Sequence, residues 1–500
     1  MSAPHRRIPS LRELGTPLLL LLLVAALLRL PTVGVQSFWL DEAYTADLMR
    51  LGPGDLWAAI RDGESTPPLY YLLARLWAVV FGNGEVGLRL LSALLGIATV
   101  PIVAALGARI GGRRTALIAS ALVACNPLVV WYSQEARSYA LLIPLAALSV
   151  LMLQRALERR VPERMAAWGV VAALAMATHY FAIYLVAVEV LWLLWATRPR
   201  LSGAVLAGLA PPVLAGAALA PLALQQRGND SASFIRETAL STRIVQIPKQ
   251  WLVGFDAPAE SALAIAAGLL ALVGVAGLAV ALRRPGRGEA YGVLAVAAGG
   301  VLLPLLLALL GEDHLLTRNV IGALPLALCL VGLGLAELTR LGGRIRDLAL
   351  AATLVLFVGW ALLDVEVARN PDLQRDDWRG AAEALGSIQA PRAIVVSPGS
   401  GRIPVAHYLE GAEVMPIHGA RVREIDLLAL AEREPGKTPR PPRPEVVAPP
   451  APGFALVGRH HADTFTVLRF RAPQPVAVTA RQLAPSALGG GEATVLVQTR

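Results

Sequence analysis

The run Val86–Ala108, VGLRLLSALLGIATVPIVAALGA, carries one charged residue and is followed at once by Arg109, Arg113 and Arg114. A bilayer core about 30 Å thick needs roughly 20 mostly apolar residues to be crossed as a helix, and basic residues in a short link mark the cytoplasmic side. The stretch therefore reads as a membrane-spanning helix with its C-terminal end inside. Working outward, ten further runs read the same way. They lie near Leu14–Val33, Thr115–Trp131, Ser138–Leu157, Met165–His179, Phe181–Thr197, Leu201–Leu224, Ser261–Leu282, Ala290–Leu310, Val320–Leu338 and Leu348–Leu363. The expected fold class is an α-helical polytopic membrane protein with about 11 transmembrane helices.

Composition agrees with this. The chain is 55% hydrophobic and 16% charged, whereas a soluble domain carries about 25% charged residues. Its 45 Lys+Arg against 36 Asp+Glu do not read as nucleic-acid binding, which needs positive charge gathered on one solvated face; here much of it sits in short links between apolar runs. Cys125 and Cys329 both fall inside apolar runs, so neither a disulfide framework nor a zinc site of the usual spacing is expected.

Every even-numbered link is basic. Arg6, Arg7 and Arg12 precede the first span, and Arg155, Arg159, Arg160 and Arg164 follow the fourth. Arg198 with Arg200, then Arg283, Arg284 and Arg287, then Arg340, Arg344 and Arg346 follow the sixth, eighth and tenth. The N-terminus is thus expected inside, and eleven spans leave the chain from Val365 onward outside. The first run also resembles a signal peptide, but its length and the lack of an A-x-A site favour a span. Arg29 lies close enough to its outer end to snorkel.

Two domains are expected: 1–364 in the membrane, with a first outer loop at 34–85, and 365–500 as a soluble α/β domain outside. Within the latter, Arg392–Ser397 reads as a short strand, and the eight prolines of Glu434–Gly453 read as an extended linker.

The outer links carry the chemistry. Asp41 and Glu42 follow the first span, but adjacent helix residues point about 100° apart. They cannot act as a facing pair; one serves as a base while the other orients it, or both are acids complementing a helix dipole. Glu64 precedes Pro67-Pro68-Leu69-Tyr70-Tyr71, where the prolines set a helix start and stiffen the chain. Glu64 and Tyr70 are then substrate contacts or an interfacial cap with an aromatic belt.

Two short outer turns each hold an arginine on the side where basic residues are uncommon: Arg137 after Ser133-Gln134-Glu135-Ala136, and Arg318 after His314-Leu315-Leu316-Thr317. Each needs an anion, either Glu135 or Glu312 within the protein, or a ligand phosphate that the guanidinium grips bidentately. His179 and Tyr180 end the fifth span on the same side, as interface residues or ligand contacts. Glu189 lies mid-span, where an ionisable group usually has a partner; the sequence does not name it.

At these residues the chain resembles the GT-C glycosyltransferases, in particular the family 39 group of protein O-mannosyltransferases and lipid A aminoarabinose transferases. The resemblance covers roughly residues 14–340. It rests on Asp41-Glu42, Pro67–Tyr71, Ser133–Tyr139, Thr178–Phe181, and Arg318 with Pro325. It implies an inverting transferase that moves a sugar from a polyprenyl-phosphate donor to a hydroxyl acceptor in the cell envelope. Catalytic roles then fall on Asp41, as base, and Glu42; substrate binding falls on Glu64, Tyr70, Glu135, Arg137, His179, Tyr180, His314 and Arg318. Many relatives have His where Thr66 stands, so a donor or metal contact made by that residue is in question. No cofactor is expected, although Asp41, Glu42, Glu64 and His314 could gather a divalent ion. The expected location is the plasma membrane, with membrane lipids as surroundings, and the competing reading is a transporter or flippase of lipid-linked sugars.

Overall fold

The computed structural model describes residues 10–198, 202–227, 235, 238–431, 440–489 and 492–499. Arg6, Arg7, Arg200 and positions 434–439 of the proline-rich stretch lie outside them. In chain order the helices are α1 (Leu11–Arg29), α2 (Leu40–Leu48), α3 (Pro53–Gly63), α4 (Leu69–Phe81), α5 (Glu85–Gly111), α6 (Arg113–Cys125), α7 (Pro127–Tyr132) and α8 (Tyr139–Glu158). They continue with α9 (Pro162–Thr178), α10 (Ala182–Thr197), α11 (Gly203–Gln226), α12 (Leu240–Val253), α13 (Glu260–Leu282), α14 (Gly288–Leu309), α15 (Leu324–Leu338) and α16 (Gly343–Arg369). The C-terminal elements are α17 (Trp378–Leu385), β1 (Arg392–Ser397), α18 (Arg402–Tyr408), β2 (Ala412–Val414), β3 (Ala420–Leu430), β4 (Ala455–His461), β5 (Phe465–Val478), α19 (Ala480–Leu483) and β6 (Thr494–Gln498). The chain folds as two compact units: Met1–Val33 with Leu51–Glu366, and Gly34–Arg50 with Val367–Arg500.

The first unit is helical, and among its described residues eight helices are long and apolar enough to cross a membrane. It is an integral membrane protein. The run predicted as one span over 115–131 is broken into α6 and α7. The cause is local: the Asn126 side chain accepts from the Val129 N–H at 3.1 Å and Pro127 occupies the first helical position, a combination that starts a new helix. The spans predicted on either side of Tyr180 are separate helices, α9 and α10.

Helix crossings use small residues, as expected where close packing replaces the hydrophobic effect. A Cβ on Gly169 of α9 would lie 2.2 Å from the Gly208 carbonyl of α11, and one on Gly334 of α15 would lie 1.8 Å from the Gly274 carbonyl of α13.

Several ionisable groups inside the bundle have partners. Glu189 accepts from Ser149 Oγ and Trp168 Nε1, both at 2.6 Å, which pins α8, α9 and α10 together. Arg29 does not snorkel. It is fully buried, donating from Nη1 to the carbonyls of Ala25 and Ala124 at 3.1 and 2.8 Å, and the Asp364 charge acts on it. Its inward path passes beside Gly96, where a Cβ would stand 3.0 Å from Arg29 Nε. At the ends of the helices that face the basic links, Arg109 Nη2 meets Glu158 and Glu289 at 2.8 and 2.7 Å. There too, fully buried Glu337 is ringed by Arg284, Arg287 and Arg340.

The second unit contains a six-stranded sheet in the order β2-β6-β1-β3-β5-β4. β1 pairs parallel with β3, and the other pairings are antiparallel. The strand read at Arg392–Ser397 is β1. It is buried along its whole length because both sheet faces are covered: Ala393 and Val395 join one core, and Ile394 and Val396 the other, beneath Trp378 and Val405. The described part of the proline-rich stretch, 440–453, contains neither helix nor strand. Residues 34–50, assigned from sequence to the first outer loop, are packed in this unit with the C-terminal residues.

Candidate active site

In the helical unit the predicted site residues sit where helices end. Glu64 caps α3, its N–H bonded to the Ile60 carbonyl. Pro68 is the N-cap of α4, so the segment between is held at both ends. Arg137 lies in the turn before α8. Its Nη1 is 3.0 Å from Glu64 Oε1 and its Nη2 3.5 Å from Oε2, with both side chains less than a tenth exposed. Glu64 is thus a carboxylate partner of Arg137, and Glu135, two residues before the arginine in the chain, is buried as well. Likewise Glu312 pairs with Arg227, not with Arg318, and Asp313 pairs with Arg243 at 2.7 Å.

Thr66 joins this group. Its hydroxyl lies 3.0 Å from the Tyr71 hydroxyl and 3.5 Å from Glu64 Oε2. The Arg137 guanidinium stands 5.9 Å from the Tyr71 ring centre. Tyr70 is fully buried, with its ring edge-on to Tyr71 at 5.9 Å.

His179 occupies the turn between α9 and α10, beyond the ends of both helices. Burial pushes its pKa down to about 3, and the charges of Arg318 and Arg137 act in the same direction, so the ring is neutral. The Phe181 N–H points to His179 Nδ1 at 3.3 Å. With Nδ1 accepting, Nε2 carries the proton and is the ring's donor. The ring packs 5.4 Å from Tyr139 and 5.6 Å from Phe181, and Phe181 in turn meets His314 at 6.4 Å. The Tyr180 hydroxyl donates to Gln226 Oε1 at 2.7 Å, while Gln226 Nε2 reaches the carbonyls of Ile60 and Thr66 at 2.8 and 3.4 Å.

Gln226 was not among the residues singled out in the sequence. Its signal was available, since Gln225-Gln226 are the first strongly polar side chains after the long apolar run of α11. Tyr71 lacked such a signal, because one of two adjacent tyrosines at a helix start reads as interfacial.

In the second unit, Asp41 and Glu42 occupy the first turn of α2, where the helix dipole favours acids. Glu42 is buried and Asp41 partly exposed, so the two carboxylates have different surroundings, as adjacency on a helix requires. The Thr45 hydroxyl donates to the Asp41 carbonyl at 2.9 Å. Among the described residues, no group of three His, Cys, Asp or Glu is placed to hold a metal ion.

Residues 65–219 match the sequence profile of the dolichyl-phosphate-mannose-protein mannosyltransferase family, a segment that includes Thr66, Tyr70, Arg137, His179 and Tyr180. Among solved structures, the chain is similar to ArnT from Cupriavidus metallidurans bound to undecaprenyl phosphate, at 14% identity and a TM-score of 0.52, covering 78% of this chain and 84% of that one. The apo state of the same protein gives 12% identity and a TM-score of 0.53 with the same coverage. This chain has the GT-C fold. It also resembles the Archaeoglobus fulgidus oligosaccharyltransferase in complex with Zn and sulfate, at 14% identity, a TM-score of 0.49 and 79% coverage, and spans 61% of that protein's length. No curated protein matches the sequence. Within the GT-C fold, the pairing of Glu64 with Arg137 and the neutral His179 are the features of this chain that bear on chemistry.

Proposed function

We propose that this protein is an inverting, membrane-embedded glycosyltransferase that moves a sugar from a polyprenyl phosphate to a hydroxyl acceptor of the cell envelope. One observation carries the reading: a GT-C fold that gathers Arg137, Glu64, His179 and Arg318 at helix ends. A lipid-linked phosphate can reach that level without its tail leaving the bilayer.

Asp41 takes the proton of the acceptor hydroxyl as the acceptor oxygen attacks the anomeric carbon. The bond from that carbon to the phosphate oxygen breaks, and polyprenyl phosphate leaves with the charge. Its configuration inverts because attack and departure occur on opposite faces. No general acid is needed for a leaving phosphate. Arg318 and the Glu64-oriented Arg137 stabilise the developing charge, and the His179 Nε2–H adds a neutral donor. Glu42, buried beside Asp41 in sequence, fixes the helix turn from which the base works. Tyr70, Glu135, Tyr180 and His314 shape the donor site around these groups.

These two cations supply the charge that a divalent ion would bring to a monophosphate, so turnover is expected to survive exhaustive chelation. Loss of activity restored by Mg²⁺, Mn²⁺ or Zn²⁺ would assign the acidic side chains to coordination instead.

A flippase must open alternately to both sides, with its site near the midplane. Here the polar cluster lies at helix ends, and the opposite ends are joined by the ion pairs of Arg109 and by the buried pair of Arg287 with Glu337, the latter costly to separate. The deciding experiment uses purified protein in liposomes with a panel of radiolabelled undecaprenyl-phosphate hexoses and pentoses. Transfer to a hydroxyl acceptor is the expected result; translocation of label without transfer would make the protein a transporter. We place the site and the C-terminal unit outside the plasma membrane. A reporter active only outside the cytoplasm should then work when fused after Pro475 and fail after Pro285.

A further inference from the structure

We propose that the C-terminal unit positions the base, with Tyr408 and His407 of α18 as positioning residues that fix α2 and hence Asp41; this rests on the reading of Asp41 as the base. α2 is nine residues long, and isolated helices shorter than about 12 residues are marginal in water. Its order comes from what it touches. It shares a compact unit with residues from Val367 onward, although more than three hundred residues separate them in the chain.

Both ends of α2 are held. At its start, the Phe38 N–H donates to the Tyr408 hydroxyl at 2.7 Å. The Ser37 hydroxyl donates to the Asp376 carbonyl at 2.8 Å and accepts from the Trp378 N–H at 3.0 Å, and the Arg375 guanidinium lies 3.8 Å from the Trp39 ring centre. Near its end, His407 Nδ1 stands 2.7 Å from Asp47 Oδ1, while the His407 ring meets Phe38 edge-on at 5.5 Å. Phe38, Ala43 and Ala46 are fully buried. Adjacent residues of α18 thus grip α2 before its first turn and at its last, with Asp41 between them.

A base must sit within about 0.5 Å of its working position, and a displacement of about 1 Å can cost on the order of 100-fold in rate. The sheet unit supplies that rigidity. The donor-binding residues belong to the helical unit, so the consequence is expected on kcat rather than on donor KM.

The test uses the full chain in lipid nanodiscs with the undecaprenyl-phosphate sugar from the panel that gives the highest wild-type rate. Tyr408→Phe removes one hydroxyl. It should lower kcat about fivefold to tenfold, the worth of one intramolecular hydrogen bond, with donor KM unchanged. Amide exchange over 38–48 should quicken by a similar factor and stay constant in α8. His407→Gln should keep most of the rate that His407→Ala loses. Unchanged exchange over 38–48 in Tyr408→Phe, or faster exchange with unaltered kcat while Asp41→Asn is inactive, would overturn the positioning role alone. Full activity in Asp41→Asn would instead overturn the assignment of the base.

Discussion

Glu64 and Arg137, 73 residues apart in the chain, form a buried two-pronged pair between the end of α3 and the turn before α8. The Arg137 guanidinium also stands 5.9 Å from the Tyr71 ring centre, and its charge acts on the His179 ring. Removing one of two paired charges at this depth is costly.

Glu64→Gln should therefore destabilise the helical unit, by about 3 to 5 kcal/mol if the whole penalty of an uncompensated buried charge is felt. Replacing both residues, as Glu64→Leu with Arg137→Met, should recover most of that stability and none of the transfer activity. Thermal unfolding in detergent and single-turnover rates separate the two effects. Unchanged unfolding in Glu64→Gln would show that Arg137 has found another acid, with Glu135 the first to examine.

Arg318 acts on the His179 ring, and we propose that it meets the donor phosphate. Arg318→Lys should weaken donor use and Arg318→Ala should weaken it further, by roughly 10- to 150-fold for a lost charged hydrogen bond. Lysine keeps the charge but not the planar fork. Initial rates at limiting donor give the answer, and wild-type kinetics in the alanine variant would remove Arg318 from the donor site.

Asp41→Asn should abolish transfer while preserving donor binding and fold. The amide is nearly isosteric with the carboxylate but takes no proton at neutral pH. Transfer at the wild-type rate would direct attention to Glu42 and then to Glu64.

The C-terminal unit should lose stability as pH rises from about 4 to about 6. Burial pushes the Asp426 carboxyl up to about 6, and the Arg469 and Arg392 guanidinium groups only partly offset it. In the unfolded chain the same group releases its proton near 3.8. Between those values the native state binds more protons than the unfolded state, so unfolding becomes easier with rising pH, by at most about 1.4 kcal/mol per unit. Amide exchange in β3 and β5 of the full chain, followed from pH 4 to 7, would show the slope after correction for intrinsic exchange. Asp426→Asn should flatten it; an equal slope in that variant would exclude Asp426 as its source.

Helix positions were legible because a bilayer forces every backbone polar group to be satisfied within its own segment, so an apolar run such as Val86–Ala108 can hardly be anything but α5. The helix starts at Pro127 and Leu69 are equally local, set by proline and capping chemistry. The sequence also picked out Glu64, Arg137, His179 and Arg318 as polar residues at one set of helix ends. What it could not supply was partnership. Nothing near Arg137 or Glu312 in the sequence marks Glu64 as a partner of the first or Arg227 as the partner of the second, because turns joined to different helices converge at one level. Glu189 found Ser149 and Trp168 on two other helices, and Arg29 turned inward where Gly96 leaves room. The segment around Asp41 shows the same limit most plainly. Its acids and its helix start are written in nine consecutive residues, but the hydroxyl that holds Phe38 belongs to Tyr408, and only the folding of a distant sheet brings that atom to it.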